Sequence, residues 1–324
     1  MKLEKMVVYT KQCGPGAFPF REQHLALLRE AAPDTKFVVV DWDEERLLQE
    51  ADGCTAAVAQ NNRPLPPEFF VRAENLKWVH CMMSGVDQMR VPGNEHITLT
   101  STKGIHGVPL SEHVLAMMLS SARKLHLSRD SQLQRQWQRP DGITELNGAT
   151  VGIVGLGLIG TEVARLLRAV GMRVIAASRS TPTTERLDLL EQYYPLQQLD
   201  RFLAQCDYIV ISAPLTEQTR HMFSVDQFRL MKSNAWIINI ARGPIIDEDA
   251  LRQALEKGQI AGACLDVAAT EPRPSDDPLW TLPNVIITPH TANASPRKMD
   301  RIISLLLDNV RRFQQGAPLL FEEK

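Results

Sequence analysis

Short apolar runs alternate with stretches of helical periodicity along most of the chain. In the first hundred residues Met6 to Tyr9 reads as a strand, Arg21 to Ala31 as an amphipathic helix carrying Leu25, Leu27 and Leu28, and Phe37 to Val40 as a second strand. A short helix is expected at Glu44 to Glu50, with further strands at Thr55 to Ala59, Lys77 to His80 and Ile97 to Thr100. Strands alternating with helices predict a parallel sheet covered on both faces. Arg63-Pro64-Leu65-Pro66-Pro67 reads as a loop, because its prolines cannot continue either element. A long helical pattern then runs to Leu127 from about Pro109, a residue the first turn of a helix tolerates. It leads toward a second domain and can serve as a hinge or a dimer face. Ser131 to Arg139 is polar apart from Leu133 and Trp137. A tryptophan in that setting marks an interface or covers its own core edge.

The second half repeats the alternation around a sharper signal. The apolar run Val151 to Val154 ends in Gly155-Leu156-Gly157-Leu158-Ile159-Gly160, a helical pattern follows from Thr161 to Val170, and Met172 to Ala177 closes a β-α-β unit. Glycine spacing alone is a weak signal, but between strand and helix it is the context for a dinucleotide-binding loop. Gly155 permits the tight turn, Gly157 lets the backbone approach a pyrophosphate, and Gly160 lets the helix lie close on the sheet. The phosphates would rest on free N–H groups at the helix N-terminus. Helices are expected near Leu187 to Gln192, Leu196 to Cys206, Asp226 to Met231 and Glu248 to Lys257. Strands are expected at Tyr208 to Ser212, Ala235 to Asn239, Ala261 to Asp266 and Val285 to Thr288, giving a six-stranded doubly wound sheet.

Polar residues follow several of these strands. Arg242 comes three residues after Asn239, Glu271 follows the Cys264–Val267 strand end, and His290 comes directly after Ile286-Ile287-Thr288-Pro289. In a parallel sheet all three open onto the edge that carries the glycine loop. Arg242 can grip a carboxylate or a carbonyl oxygen, and His290 can exchange a proton near neutral pH. A carboxylate beside that histidine would orient it and favour its protonated form. Reduction of a 2-keto acid needs these parts: an anion clamp, a proton donor and a hydride source. In the first half, Ser84-Gly85-Val86 follows a strand and can present N–H groups to a small anion, although a plain turn reads the same way.

Composition narrows the class. The chain has 324 residues, 44% hydrophobic and 23% charged, enough for two ordinary globular domains. A formal net charge of -2 gives no footprint for nucleic acid or an anionic membrane. No apolar run has the length of a bilayer span, and the N-terminus does not read as a signal peptide. The cysteines at 13, 54, 81, 206 and 264 are scattered, which argues for free thiols in a reducing cytoplasm and against a metal site.

Taken together, the motifs resemble the D-isomer-specific 2-hydroxyacid dehydrogenase family over essentially the full length. They are Gly155-x-Gly157-x-x-Gly160, Ala213-Pro214-Leu215-Thr216, Asn239-x-x-Arg242-Gly243, Leu265-Asp266-Val267 with Thr270-Glu271-Pro272, and Pro289-His290-Thr291-Ala292. The resemblance implies two doubly wound α/β domains, a Rossmann-type cofactor domain at 101–292 inserted into a flavodoxin-like substrate domain at 1–100 and 293–324. The returning segment would be a helix at Pro296 to Gln315. It also implies a catalytic triad of Arg242, Glu271 and His290, a nicotinamide contact at Asp266, and a carboxylate-binding loop at Ser84, Gly85 and Val86. Cofactor contacts are expected from Leu156, Leu158, Ile159, Ala213, Pro214, Ile240, Ala241, His290 and Ala292. Members are generally homodimers, and in glyoxylate/hydroxypyruvate reductase-like members a partner's tryptophan can reach the substrate pocket, which makes Trp137 a candidate. The segment from Thr102 to His113 departs from the commoner family wording and leaves His106 and His113 without a role. The alternatives are a D-3-phosphoglycerate dehydrogenase-like enzyme and a non-catalytic dinucleotide sensor. No obvious extra basic cluster for a substrate phosphate is seen near Met82 to Asp87, and no additional regulatory domain is expected.

The nicotinamide itself is read from the end of the second strand, about 20 residues past the glycines, where an acidic residue would bind the adenosine ribose. Here stand Ser178, Arg179, Ser180 and Thr181, hydroxyls and a guanidinium suited to a 2′-phosphate. NADP(H) is therefore expected over NAD(H), with NAD(H) still possible.

Overall fold

The computed structural model describes residues 2–10, 20–60, 62–84, 86–90 and 93–323, which form two compact units. The first comprises residues 1–105 and 295–324, the second 106–294. The first unit opens with β1 (Lys5–Tyr9), α1 (Glu22–Ala31), β2 (Lys36–Val40), α2 (Glu44–Gln49), β3 (Ala56–Ala59), α3 (Pro67–Arg72), β4 (Trp78–Cys81) and β5 (Thr98–Thr100). All neighbours pair in parallel in the order β2-β1-β3-β4-β5. Helices cover both faces, so β3 and β4 are buried at every residue, as their continuous apolar runs require. One expectation needs correction. Pro67 is not the end of a loop but the first residue of α3, where a missing N–H costs nothing.

The second unit begins with α4 (Gly107–Ala122) and α5 (Leu125–Leu133). The continuous helical pattern expected through Leu127 is broken at Lys124, whose backbone is left-handed with φ 56°. There follow β6 (Thr150–Val154), α6 (Leu158–Ala169), β7 (Arg173–Ser178), α7 (Thr184–Leu187), β8 (Gln192–Pro195), α8 (Leu199–Leu203) and β9 (Tyr208–Ile211). α9 (Val225–Leu230), β10 (Trp236–Asn239), α10 (Glu248–Glu256), β11 (Gly262–Leu265) and β12 (Val285–Ile287) complete it. The sheet has seven parallel strands in the order β12-β11-β10-β9-β6-β7-β8, one more than the pattern predicted. The helix expected near 187–192 is only the single turn of α7, and β8 begins where that expectation ended, at Gln192. Tyr193 and Tyr194 favour a pleated surface, β8 pairs with β7, and Tyr194 packs edge-on against Phe202 at 5.9 Å.

The chain order reverses at β6, with β7 on one side and β9 on the other, so the glycine loop leaves the sheet at its topological switch point. Finally α11 (Lys298–Gln315) returns to the first unit. It buries Met299, Ile302, Ile303, Leu306 and Val310 and stacks Phe313 on Trp78 at 5.6 Å. Among the described residues no helix is long and apolar enough to cross a membrane.

Beyond α11 the C-terminal segment is held by fully buried Asn309. Its Nδ2 donates to the Leu320 carbonyl at 3.1 Å and its Oδ1 accepts from the Leu320 N–H at 2.7 Å. Asn309→Leu strands both backbone groups and should cost about 2 kcal/mol, seen as a lower denaturation midpoint at unchanged slope.

Candidate active site

The glycine loop is shaped by two close approaches and one open face. Gly155 has φ +95°, and a Cβ there would lie 2.7 Å from the Ala213 backbone. A Cβ on Gly160 would lie 2.1 Å from the Gly155 carbonyl oxygen, which also accepts the Ser212 hydroxyl at 2.7 Å. Gly157 precedes α6, and a Cβ on it would meet nothing within 4 Å. Two glycines therefore close the strand-to-helix turn, and the third leaves space over the helix N-terminus. That space, a positive helix end and a cleft of about 270 Å³ fit a dinucleotide phosphate. Ala213 and Pro214 line the same cleft.

At the ends of β10, β11 and β12 a second set of groups is held together around Asp266. This carboxylate is 2% exposed. Its Oδ1 accepts the Thr288 hydroxyl at 2.6 Å and the Thr291 N–H at 2.9 Å, and its Oδ2 accepts the Ala292 N–H at 3.1 Å. The backbone N–H of Ala292, a residue expected to contact the cofactor, is bonded to Asp266. The backbone N–H of His290 donates to the Asp266 carbonyl at 2.8 Å. His290 is fixed in a left-handed conformation, φ 54°, which a non-glycine residue adopts only where its surroundings impose it.

Its side chain meets Glu271. Nδ1 of His290 lies 2.7 Å from Glu271 Oε2, while Oε1 accepts the Ala268 N–H at 3.0 Å. Partial burial works to raise the Glu271 pKa. The His290 hydrogen bond, the Ala268 N–H and the charges of His290 and Arg242 outweigh it and hold the carboxyl below its ordinary value. Arg242 is exposed on the loop after β10, and its guanidinium donates to the Ala241 carbonyl at 2.6 Å. Asn239 braces that loop, accepting the Ala241 N–H and donating to the Arg242 carbonyl, both at 3.0 Å. Ile240 and Ala241 are buried beneath it.

Two supporting contacts were not legible in the sequence. His113 on α4 lies 3.0 Å from the Thr288 hydroxyl through Nε2. That hydroxyl has one proton and gives it to Asp266, so it accepts from His113, which places a proton on Nε2. Arg273, 4% exposed at its side chain, binds Glu248 at 2.7 Å and Asp277 as well, two residues beyond Glu271. Glu248 also accepts the Ala269 N–H at 3.1 Å, so the Glu271 loop is tied to the start of α10. The contacts of His113 with Thr288 and of Arg273 with Glu248 join residues far apart in the chain and have no local motif.

The loop after β7 lines the cleft with Arg179, Ser180 and Thr181. Ser178 lines the cleft as well, although mostly buried, and its hydroxyl donates to the Ser180 carbonyl at 2.8 Å. Leu156 is buried, Leu158 is exposed and Ile159 is half-buried at the start of α6. In the first unit, Ser84 is half-buried after β4 and Val86 packs into the core; Gly85 lies outside the described residues. Among the described residues no cluster could hold a metal ion, Cys54, Cys206 and Cys264 are buried free thiols, and Cys81 is buried.

A seven-stranded doubly wound sheet with a glycine cradle at its switch point defines a dinucleotide-dependent protein, and the histidine–carboxylate pair beyond it suits a dehydrogenase. Comparison with known proteins agrees. Residues 115–292 match the D-isomer specific 2-hydroxyacid dehydrogenase, NAD binding domain family. A glyoxylate reductase from Korarchaeum cryptofilum is 32% identical over 304 residues, covering 91% of this chain and 88% of that protein. A D-3-phosphoglycerate dehydrogenase from Archaeoglobus fulgidus is 31% identical over 94% of this chain but only 57% of its own length. Among solved structures, an NADPH-dependent glyoxylate/hydroxypyruvate reductase from Sinorhizobium meliloti, in complex with NADP and sulfate, superposes with a TM-score of 0.74 at 28% identity. It covers 99% of this chain and 98% of that one. The chain belongs to the D-isomer-specific 2-hydroxyacid dehydrogenase family, and it is an NAD(P)-dependent enzyme of that class.

The glycine geometry separates folding from binding. Gly160→Ala should lose roughly 2 kcal/mol or more, because its Cβ meets a carbonyl oxygen that cannot move away. Gly157→Ala should keep its stability within about 0.5 kcal/mol yet bind cofactor at least tenfold more weakly. Denaturant melts and a fluorescence titration with NADPH test both.

Proposed function

We propose that this protein reduces a small 2-keto acid of the glyoxylate or hydroxypyruvate kind to the D-2-hydroxy acid, with NADPH as preferred reductant. The observation that carries this reading is the His290–Glu271 pair at 2.7 Å, set on a backbone turn that Asp266 holds. With Nδ1 engaged by Glu271, Nε2 of His290 is the nitrogen left to give a proton to the substrate's carbonyl oxygen. Glu271 keeps the imidazole oriented and stabilises its charged form until the proton leaves. Arg242 holds the keto acid and draws electron density toward its carbonyl oxygen, which prepares the carbon for reduction. The Ser84–Val86 turn is assigned to the substrate carboxylate. The nicotinamide, when bound, supplies the hydride. The glycine loop would hold its pyrophosphate, and the loop after β7 its adenosine end. Asp266 is assigned to the nicotinamide carboxamide, and its described contacts are to the His290 turn.

The glyoxylate reductase relatives and the absence of a carboxylate among Ala177 to Thr181 support the substrate class and the NADP(H) preference. Initial rates of NADPH and NADH oxidation with glyoxylate, hydroxypyruvate, pyruvate, phenylpyruvate and 3-phosphohydroxypyruvate test both. Turnover of the small acids, faster with NADPH, is expected. Preference for the phosphorylated acid would move the substrate assignment to the phosphoglycerate branch, and turnover with NADH alone would discard the phosphate site. His290→Asn should lose at least 100-fold in turnover with cofactor binding intact. Full activity in that variant would overturn the proton-donor role.

A cytoplasmic homodimer completes the proposal. Trp137 is fully exposed at 106%, with Leu133 at 65% and Leu125 at 54% on the neighbouring helix, a concentration of large apolar surface that suits a second copy of the chain. Trp137→Ala should weaken self-association in analytical ultracentrifugation and raise the KM for keto acid. An unchanged dimer and KM would remove Trp137 from both roles.

A further inference from the structure

We propose that Arg186 is a second cationic contact for the phosphate that distinguishes NADPH from NADH, forming a two-arginine clamp with Arg179. The inference rests on the reading of the β7 loop as a 2′-phosphate site and extends it to a residue outside that loop. Arg186 lies on α7, half-buried, and lines the same cleft as Arg179, Ser180 and Thr181. Its guanidinium donates through one nitrogen to the carbonyl of Leu156 in the glycine loop at 3.1 Å. One such bond occupies one of five N–H groups, and the planar fork has donors left for an anion.

The charge balance of the cleft points the same way. Its described lining contains two arginines and no aspartate or glutamate. Among the described residues no carboxylate lies within ion-pair distance of Arg179 or Arg186. By contrast Arg165 and Arg173, on either side of the glycine-loop helix's far end, are each paired with a glutamate. Two guanidinium groups in one cleft without a counter-charge repel each other unless an anion joins them. Ser178 adds to the argument, because its hydroxyl is turned into the loop toward the Ser180 carbonyl and the Tyr193 hydroxyl donates to the Ser178 carbonyl at 3.1 Å. The Ser178 hydroxyl proton is therefore already engaged, and Arg186 is an additional strong donor in the cleft. Its bond to Leu156 also links recognition of the phosphate to the loop that would cradle the pyrophosphate.

The competing role is a brace that merely shapes the glycine loop. Calorimetric titration of the full chain with NADP⁺, NAD⁺, 2′,5′-ADP and 5′-AMP separates the two, since it needs no turnover. Arg186→Met should weaken NADP⁺ and 2′,5′-ADP tenfold or more, with NAD⁺ and 5′-AMP changed less than twofold and thermal unfolding unchanged. Arg186→Lys should recover part of the loss. An equal loss for all four ligands, or no loss for any, would overturn the clamp. The underlying reading fails separately: if the unaltered protein binds NADP⁺ no tighter than NAD⁺ and Arg179→Met changes neither, no 2′-phosphate site exists. A collapse of NADP⁺ affinity in Arg179→Met with Arg186→Met unaffected would leave that reading standing and remove Arg186 alone.

Discussion

The buried Asp266 carboxylate is the constraint on which the active-site edge depends. A charge taken out of water must be met by several donors, and Asp266 finds them in the Thr288 hydroxyl and the Thr291 and Ala292 N–H groups. Those donors come from the residues on either side of His290. Satisfying the carboxylate therefore bends the chain into the turn that gives His290 its left-handed backbone. The same turn carries the imidazole to Glu271. A group usually costly to bury here converts its need for partners into the orientation of His290.

Parallel sheet geometry explains why the site can be assembled from segments more than a hundred residues apart. Every strand of the second unit leaves the sheet at one edge, so the loops after β6, β10, β11 and β12 share a side although Gly155 and His290 are distant in sequence. The close contact between Gly160 and the Gly155 carbonyl then sets how near α6 lies to that edge. Glu271 needs a separate anchor, because its loop belongs to no regular element. The buried Arg273 supplies it by taking two carboxylates at once, Glu248 and Asp277. Removing either acid would leave a mostly buried charge half-paired, so the loop is held by a penalty against opening as much as by attraction.

Much of this was legible from residue pattern, and the reason is local. The glycine spacing, the apolar run before it and the helical run after it are all encoded within about thirty residues, as a β-α-β unit requires. Arg242, Glu271 and His290 stand out because they directly follow apolar strands. What escaped the pattern is non-local. β8 has little local signal, because Gln192 to Pro195 is a four-residue run ending in proline, and the strand exists through its pairing with β7 and the packing of Tyr194. Pro67 was read as a breaker because its helix-starting role depends on the residues after it. His113 had no signal at all, since its partner Thr288 lies 175 residues away. Next to β4, Val86 of the turn expected to hold a carboxylate is drawn into the core.

The cofactor loop shows why residue type at a position is an incomplete guide to binding. Ser178 and Arg179 are neighbours, and in the sequence both read as phosphate donors. In the folded chain a serine hydroxyl can satisfy itself over a single short hydrogen bond to a nearby carbonyl, and Ser178 does so with Ser180. A guanidinium has too many donors and too much charge to be satisfied by one carbonyl, so Arg186 can hold Leu156 and still attract an anion. Short polar side chains tend to be absorbed by their own loops, whereas arginines without carboxylate partners keep an unmet electrostatic demand. In this cleft that demand comes from two sides of the dinucleotide fold, the end of β7 and the helix after it. A doubly charged phosphate would answer that demand where a hydroxyl would not, so the proposed preference for NADP(H) rests on the cleft's charge balance rather than on any one residue.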